Sequence, residues 1–189
     1  MWRLGLLILL GISACQPAQK FEHTFVDLRD GQAYRIRRVG ELEWMMENLR
    51  YAVDSSWCVP SDSSCTRYGR LYPWQIAKKA CPPGWRLPSI GEWSRFVERL
   101  SPGWHETNGP QRAYEALEPL IQAAGFYQPW TGRFLGRDTA ATYWASDRFG
   151  LSAAMGLVWS RVHRTVELTP LSAEAGHTCR CVRKPIEAH

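Results

Sequence analysis

The 189-residue sequence has no apolar run of the length, about 20 residues, that a transmembrane helix needs; its longest covers residues 4–12. It has no internal repeat and no low-complexity tract, which fits one domain at this length. Basic residues form no stripe. The formal charge is +5, and the tight groups are Arg35, Arg37 and Arg38, then Arg180, Arg183 and Lys184. Each group reads as a solvated strand face, and no nucleic-acid-binding motif accompanies them, so nucleic acid is not an expected partner. Cysteine pairs at zinc spacing are also missing. Cys58 and Cys65 are seven apart and Cys179-x-Cys181 has no second pair, so no metal or other cofactor is expected. No Ser/His/Asp set and no paired carboxylates can be placed, and catalysis is not expected.

What is present is a core. Hydrophobic residues make up 45% of the chain, too many for a disordered polymer. Ten of the residues are Trp, a side chain that suits both cores and ligand surfaces.

The first residues have the layout of a secretory signal: Arg3, the apolar run, then the small residues Ser13 and Ala14 before Cys15. Ile12-Ser13-Ala14-Cys15 resembles the bacterial lipobox. That resemblance implies cleavage before Cys15 and diacylation of its thiol, with acylation of the freed amine as a second anchoring signal. Residues 1–14 are then a signal peptide and 15–23 a lipidated tether, polar and containing Pro17. Gln16, rather than Asp, points by the same resemblance to the outer membrane. The expected location is outside the cytoplasm, anchored in a bacterial membrane.

An exported chain meets an oxidising space, so disulfides are the default for the other five cysteines. Cys58 and Cys65 flank a Pro/Asp/Ser turn and suit a local bridge. Cys81 would pair with Cys179 or Cys181, which share a face if they lie on a strand. Spacing does not choose between them, and one thiol is left over.

The pattern predicts a hairpin over residues 24–39 with a turn at Asp30-Gly31, a second turn at Gly40-Glu41 and a strand over 42–46. It predicts a helix over 70–80, stopped by Pro82-Pro83-Gly84, and a short strand over 85–87. Ser89 and Glu92 form a capping box that opens a second helix, with Trp93, Phe96, Val97 and Leu100 as its apolar stripe. A third helix over 111–124 carries Pro119 inside it or at a break. Residues 125–140 read as loop. Strands follow over 141–146, 153–161, 162–168 and 177–183. The fold class is α+β, with antiparallel sheets, two main helices and the terminal strands meeting in one sheet.

Seven segments in order carry a family resemblance. They are residues 44–49 (WMMENL), Trp57-Cys58, 68–74 (YGRLYPW), 80–89 (ACPPGWRLPS), Glu92-Trp93, Tyr143-Trp144-Ala145-Ser146 and Cys181-Val182-Arg183. Together they resemble the Fibrobacter succinogenes major paralogous domain family, over residues 24–184, with 185–189 as a tail. The family's centre is similar to C-type-lectin-like folds, through Trp74, Ala77, Cys81, Gly84, Leu87 and Glu92. The resemblance implies a Cys81–Cys181 bridge and leaves Cys179 as an unpaired, mostly buried thiol.

It also implies a non-enzymatic binding or adhesion module, with a glycan or a surface protein as partner. In such folds the ligand site lies in the long loop region, here about residues 101–140. The candidate ligand residues are Trp104, His105, Tyr127, Trp130, Arg133 and Arg137, with Phe134 and Asp138 beside them. Calcium-dependent sugar binding is not expected, because the Glu-Pro-Asn, Gln-Pro-Asp and Trp-Asn-Asp triplets are missing and acidic residues are few there. A structural surface-assembly subunit is the alternative. A third reading is an enzyme: Leu87-Pro88-Ser89 with Glu92-Trp93 resembles formylglycine-generating enzymes, with Cys179-x-Cys181 as a counterpart of their copper-binding pair.

Overall fold

The computed structural model describes residues 23–63 and 65–186. Cys15, the signal segment, most of the tether and the last three residues of the tail lie outside this range. The chain is α+β, with antiparallel sheets, three α-helices and two disulfides among the described residues.

The first sheet is local. β1 (His23–Val26) and β2 (Ala33–Val39) form the expected hairpin, starting at His23, inside the expected tether. Gly31 takes a φ of +73° in its turn, a conformation a side chain would oppose. β3 (Leu42–Met45) continues the sheet, and β11 (Val182–Arg183) from the C-terminal end adds to its far edge. The two faces bury different partners. Tyr34, Ile36 and Met45 face a core shared with Trp74, Trp85 and both Cys81 and Cys181. Trp44 and Val182 face a second core with Trp93, Phe96 and Trp159.

α1 (Trp74–Ala80) is shorter than the expected 70–80. Tyr72 precedes Pro73, whose ring disfavours helical backbone before it. The segment is instead extended: β5 (Arg70–Leu71) pairs with β4 (Trp57–Cys58), and Tyr72 bridges to His177. The expected strand over 85–87 reduces to one bridge, Arg86 to Val182.

α2 (Ile90–Leu100) begins as the capping box predicts. Ser89 Oγ accepts from Glu92 N at 3.2 Å, and the Glu92 carboxylate accepts from Ser89 N at 2.7 Å. Such a cap stabilises a helix by about 1 kcal/mol. Trp93, Phe96 and Val97 fall on one face and are buried, each contributing roughly 1.5–3 kcal/mol.

α3 (Gly109–Leu117) starts two residues before the expected helix and stops seven before its expected end. Pro119 has no N–H for the helical ladder, and residues Glu118–Leu120 tighten into a 3-10 turn. The expected loop over 125–140 contains a hairpin, β6 (Phe126–Gln128) and β7 (Arg133–Leu135). Each strand has only three residues, too few for alternation to mark them.

A three-stranded sheet follows. β8 (Ala140–Phe149) pairs with β9 (Ala153–Ser160), which pairs with β10 (Thr165–Ser172). Residues 161–164 turn, with Arg164 at φ +52°, so β10 starts later than expected. It runs through Pro170, tolerated because β10 is an outer strand. The expected strand over 177–183 is a ladder only at its end. Before that it threads between elements: Cys179 O accepts from Leu49 N and Cys181 O from Met45 N, both near 3 Å, while Thr178 N donates to Thr142 O. Cys179 and Cys181 face one core; Arg180 and Val182 face the other.

That last point corrects the solvated reading of Arg180. It is 2% exposed, donates to Leu120 O and lies over the Tyr143 ring. Arg183 is also drawn in, donating to Glu43 at 2.6 Å.

Candidate functional site

The residues expected to bind ligand do not gather at one place. Trp104 is 5% exposed and sits in the core with Trp93 and Tyr114, its ring tilted against that of His105 at 4.0 Å. It is a core residue, because the chain folds back after α2 and lays it against α3. His105 is exposed and within 3.3 Å of Ser94. Tyr127 is half-buried between Trp57 and Phe134, at 4.4 and 4.7 Å. It belongs to the small core under the Cys58–Cys65 loop. Arg137 donates to Ser61 at 2.8 Å across the same loop, and Asp138 accepts from the Tyr68 hydroxyl at 2.6 Å. Only Trp130, 57% exposed, and Arg133 stand free on the hairpin tip.

The cysteines are disposed as two bridges, Cys58–Cys65 and Cys81–Cys181, with Cys179 a buried free thiol. Burial pushes its pKa up. The Cys181 sulfur is bonded to Cys81, so Cys179 and Cys181 do not form a thiol pair. Among the described residues no group of three His, Cys, Asp or Glu is placed to hold a metal ion.

A cleft of about 1000 Å³ lies elsewhere, between the β2–β3 turn, α2 and the segment after β11. Its floor is apolar: Val39, Leu42, Trp44 and Phe96. Trp44 is 1% exposed and its indole N–H has no hydrogen-bond partner among the described residues. The walls are basic, with Arg38, Arg86, Arg95, Arg99 and Lys184 against Glu41 and Glu92.

The charges are unequally committed. Glu92 accepts two hydrogen bonds from Arg86, at 2.7 Å each. Those bonds, together with the Ser89 N–H and against some burial, hold the Glu92 carboxyl below the usual carboxylate range. The same hydrogen bonds raise the Arg86 guanidinium. Arg38, Arg95, Arg99 and Lys184 have no carboxylate within 4.0 Å among the described residues. Four cations thus face one uncommitted carboxylate, Glu41, across an apolar floor. Guanidinium groups present planar forks suited to carboxylate and phosphate.

Sequence reading missed this cleft. Glu92, Arg95, Phe96 and Arg99 share one face of α2, a signal present in the capping-box helix. Arg38 and Lys184 are brought there by the pairing of β2, β3 and β11, and no local pattern shows that. No helix among the described residues is long and apolar enough to cross a membrane. No protein-family model, no curated protein and no solved structure matches this chain.

Proposed function

We propose that this chain is a non-enzymatic binding module, carried outside the cell on a lipidated Cys15, whose binding site is the basic cleft. The observation that carries the reading is that, among the described residues, four cations with no carboxylate within 4.0 Å line an apolar floor. A site of this kind takes an anionic ligand, such as the acidic groups of a glycan or of a protein. The order of elements and the Cys81–Cys181 bridge support kinship with C-type-lectin-like domains, within the Fibrobacter succinogenes major paralogous domain family that the sequence resembles. On this reading the ligand sits against α2 and the first sheet rather than in the long loop region.

Polygalacturonate against dextran tests the reading. The wild-type chain should retain the acidic polysaccharide and not the neutral one, and added salt should release it, since exposed charges are screened beyond about 8 Å at physiological ionic strength. Arg95→Glu with Arg99→Glu should abolish retention. Equal retention of dextran, or full retention by the double variant, would sink the proposal.

Trp130 and Arg133 favour a second reading. An exposed indole beside a guanidinium suits stacking on a sugar ring, and Trp130→Ala losing binding to neutral glycans would move the site to the hairpin tip.

A further inference from the structure

The basic cleft sits where the described chain enters and leaves the domain. β1 begins at His23, whose imidazole lies 3.6 Å from Glu43. Glu43 is the cross-strand partner of both Arg38 and Arg183. Arg38 lines one wall of the cleft, and Lys184 and Ile186, which follow β11, line another. Eight residue steps separate His23 from Cys15. Fully extended, they reach about 26–29 Å. A folded domain of this size is about 40 Å across. An acyl chain on Cys15 would therefore keep the cleft side of the domain near the lipid headgroups, because the tether is shorter than the domain is wide.

The chemistry of the rim agrees with that placement. Arg95 and Arg99 are exposed and have no carboxylate within 4.0 Å among the described residues, and Ile186, which lines the same cleft, is 76% exposed. Cations around an exposed aliphatic side chain suit the boundary between phosphate and acyl chain.

We infer that the cleft docks on the net-anionic phospholipid headgroups of the bilayer that holds Cys15, so that anchor and cleft are two linked contacts with one membrane. This rests on the lipidated Cys15 and on the anionic-ligand reading of the cleft, and it names the anion.

The test uses the chain from residue 15 onward with Cys15→Ser. It carries no acyl group but keeps every residue of the three cores and both disulfides. It should sediment with vesicles containing phosphatidylglycerol and not with phosphatidylcholine alone. Each cation near an anionic surface is worth about 1 kcal/mol, so Arg95→Gln with Arg99→Gln should lower partitioning about 25-fold. On the anionic vesicles Lys184 should be shielded from a water-soluble amine reagent, while Lys79 on α1 stays reactive. No sedimentation with phosphatidylglycerol, or sedimentation with Lys184 still labelled, overturns the inference. Saturation by inorganic phosphate without vesicle binding overturns it as well. A chain that retains polygalacturonate but ignores the vesicles defeats the membrane assignment alone. One that ignores both defeats the anionic cleft too.

Discussion

His177 Nδ1 lies 2.7 Å from Thr142 Oγ1, and the geometry sets which of them donates. The Thr142 hydroxyl already gives its hydrogen to Gly125 O, at 2.9 Å, so the imidazole must donate its Nδ1–H. The opposite nitrogen is buried and has no hydrogen-bond partner among the described residues; the imidazole stacks on the Phe126 ring and lies T-shaped to Trp144.

Burial lowers the His177 pKa from 6.5 to about 3. The unfolded chain takes up this proton near 6.5 and the folded chain only near 3, so acid favours unfolding between those values. Stability should be complete above 6.5 and fall by up to about 1.4 kcal/mol per pH unit below it. The Glu92 carboxyl, held below its ordinary value by Arg86, adds a further loss in the same direction at lower pH. Urea unfolding between about pH 4 and 7 reads this slope. His177→Gln should be less stable near neutral pH and have a flatter slope. An unchanged slope would rule out His177 as the titrating group.

The two disulfides should differ in worth. Cys81–Cys181 closes a separation of 100 residues and Cys58–Cys65 one of 7. On chain-entropy grounds the long loop contributes roughly 4–5 kcal/mol and the short one roughly 2–3. Paired Cys→Ser replacements, compared by urea midpoint, give the ranking. Equal losses would mean that native packing, not loop closure, sets the cost.

Trp104 and Trp130 should part company under substitution. Trp104→Ala empties a core position and should cost about 3–5 kcal/mol. Trp130→Ala removes an exposed ring and should leave the unfolding midpoint within about 0.5 kcal/mol of wild type. Thermal unfolding of both variants decides it, and a large loss at Trp130 would reveal packing on the hairpin tip.

Cys179 should be chemically silent in the folded chain. It is fully buried and its thiolate is disfavoured there. With Cys15→Ser, N-ethylmaleimide should label nothing in native buffer and one thiol in denaturant. Rapid native labelling would show that the segment from His177 to Cys181 opens locally.

Features written in a few neighbouring residues were legible. The hairpin from His23 to Val39 and the capping box at Ser89 and Glu92 are signalled by residues that touch each other. What failed involved distance along the chain. Trp104 and Tyr127 lie in one stretch of sequence but in different cores. Arg38, Arg95 and Lys184 are far apart in sequence but line one cleft. Arg180 misled for a related reason. Alternation puts it opposite Cys179 and Cys181, which on an outer strand means water, but here both faces of the segment are covered.

The Cys81–Cys181 bridge also fixes how the molecule bears load. Tension applied between His23 and Ile186 passes through that covalent bond and bypasses residues 82–180. α2, α3 and the whole β8–β10 sheet lie in the bypassed segment and cannot be drawn out while the bond lasts. The strain falls first on β1 to β3 and β11, the strands beside the cleft.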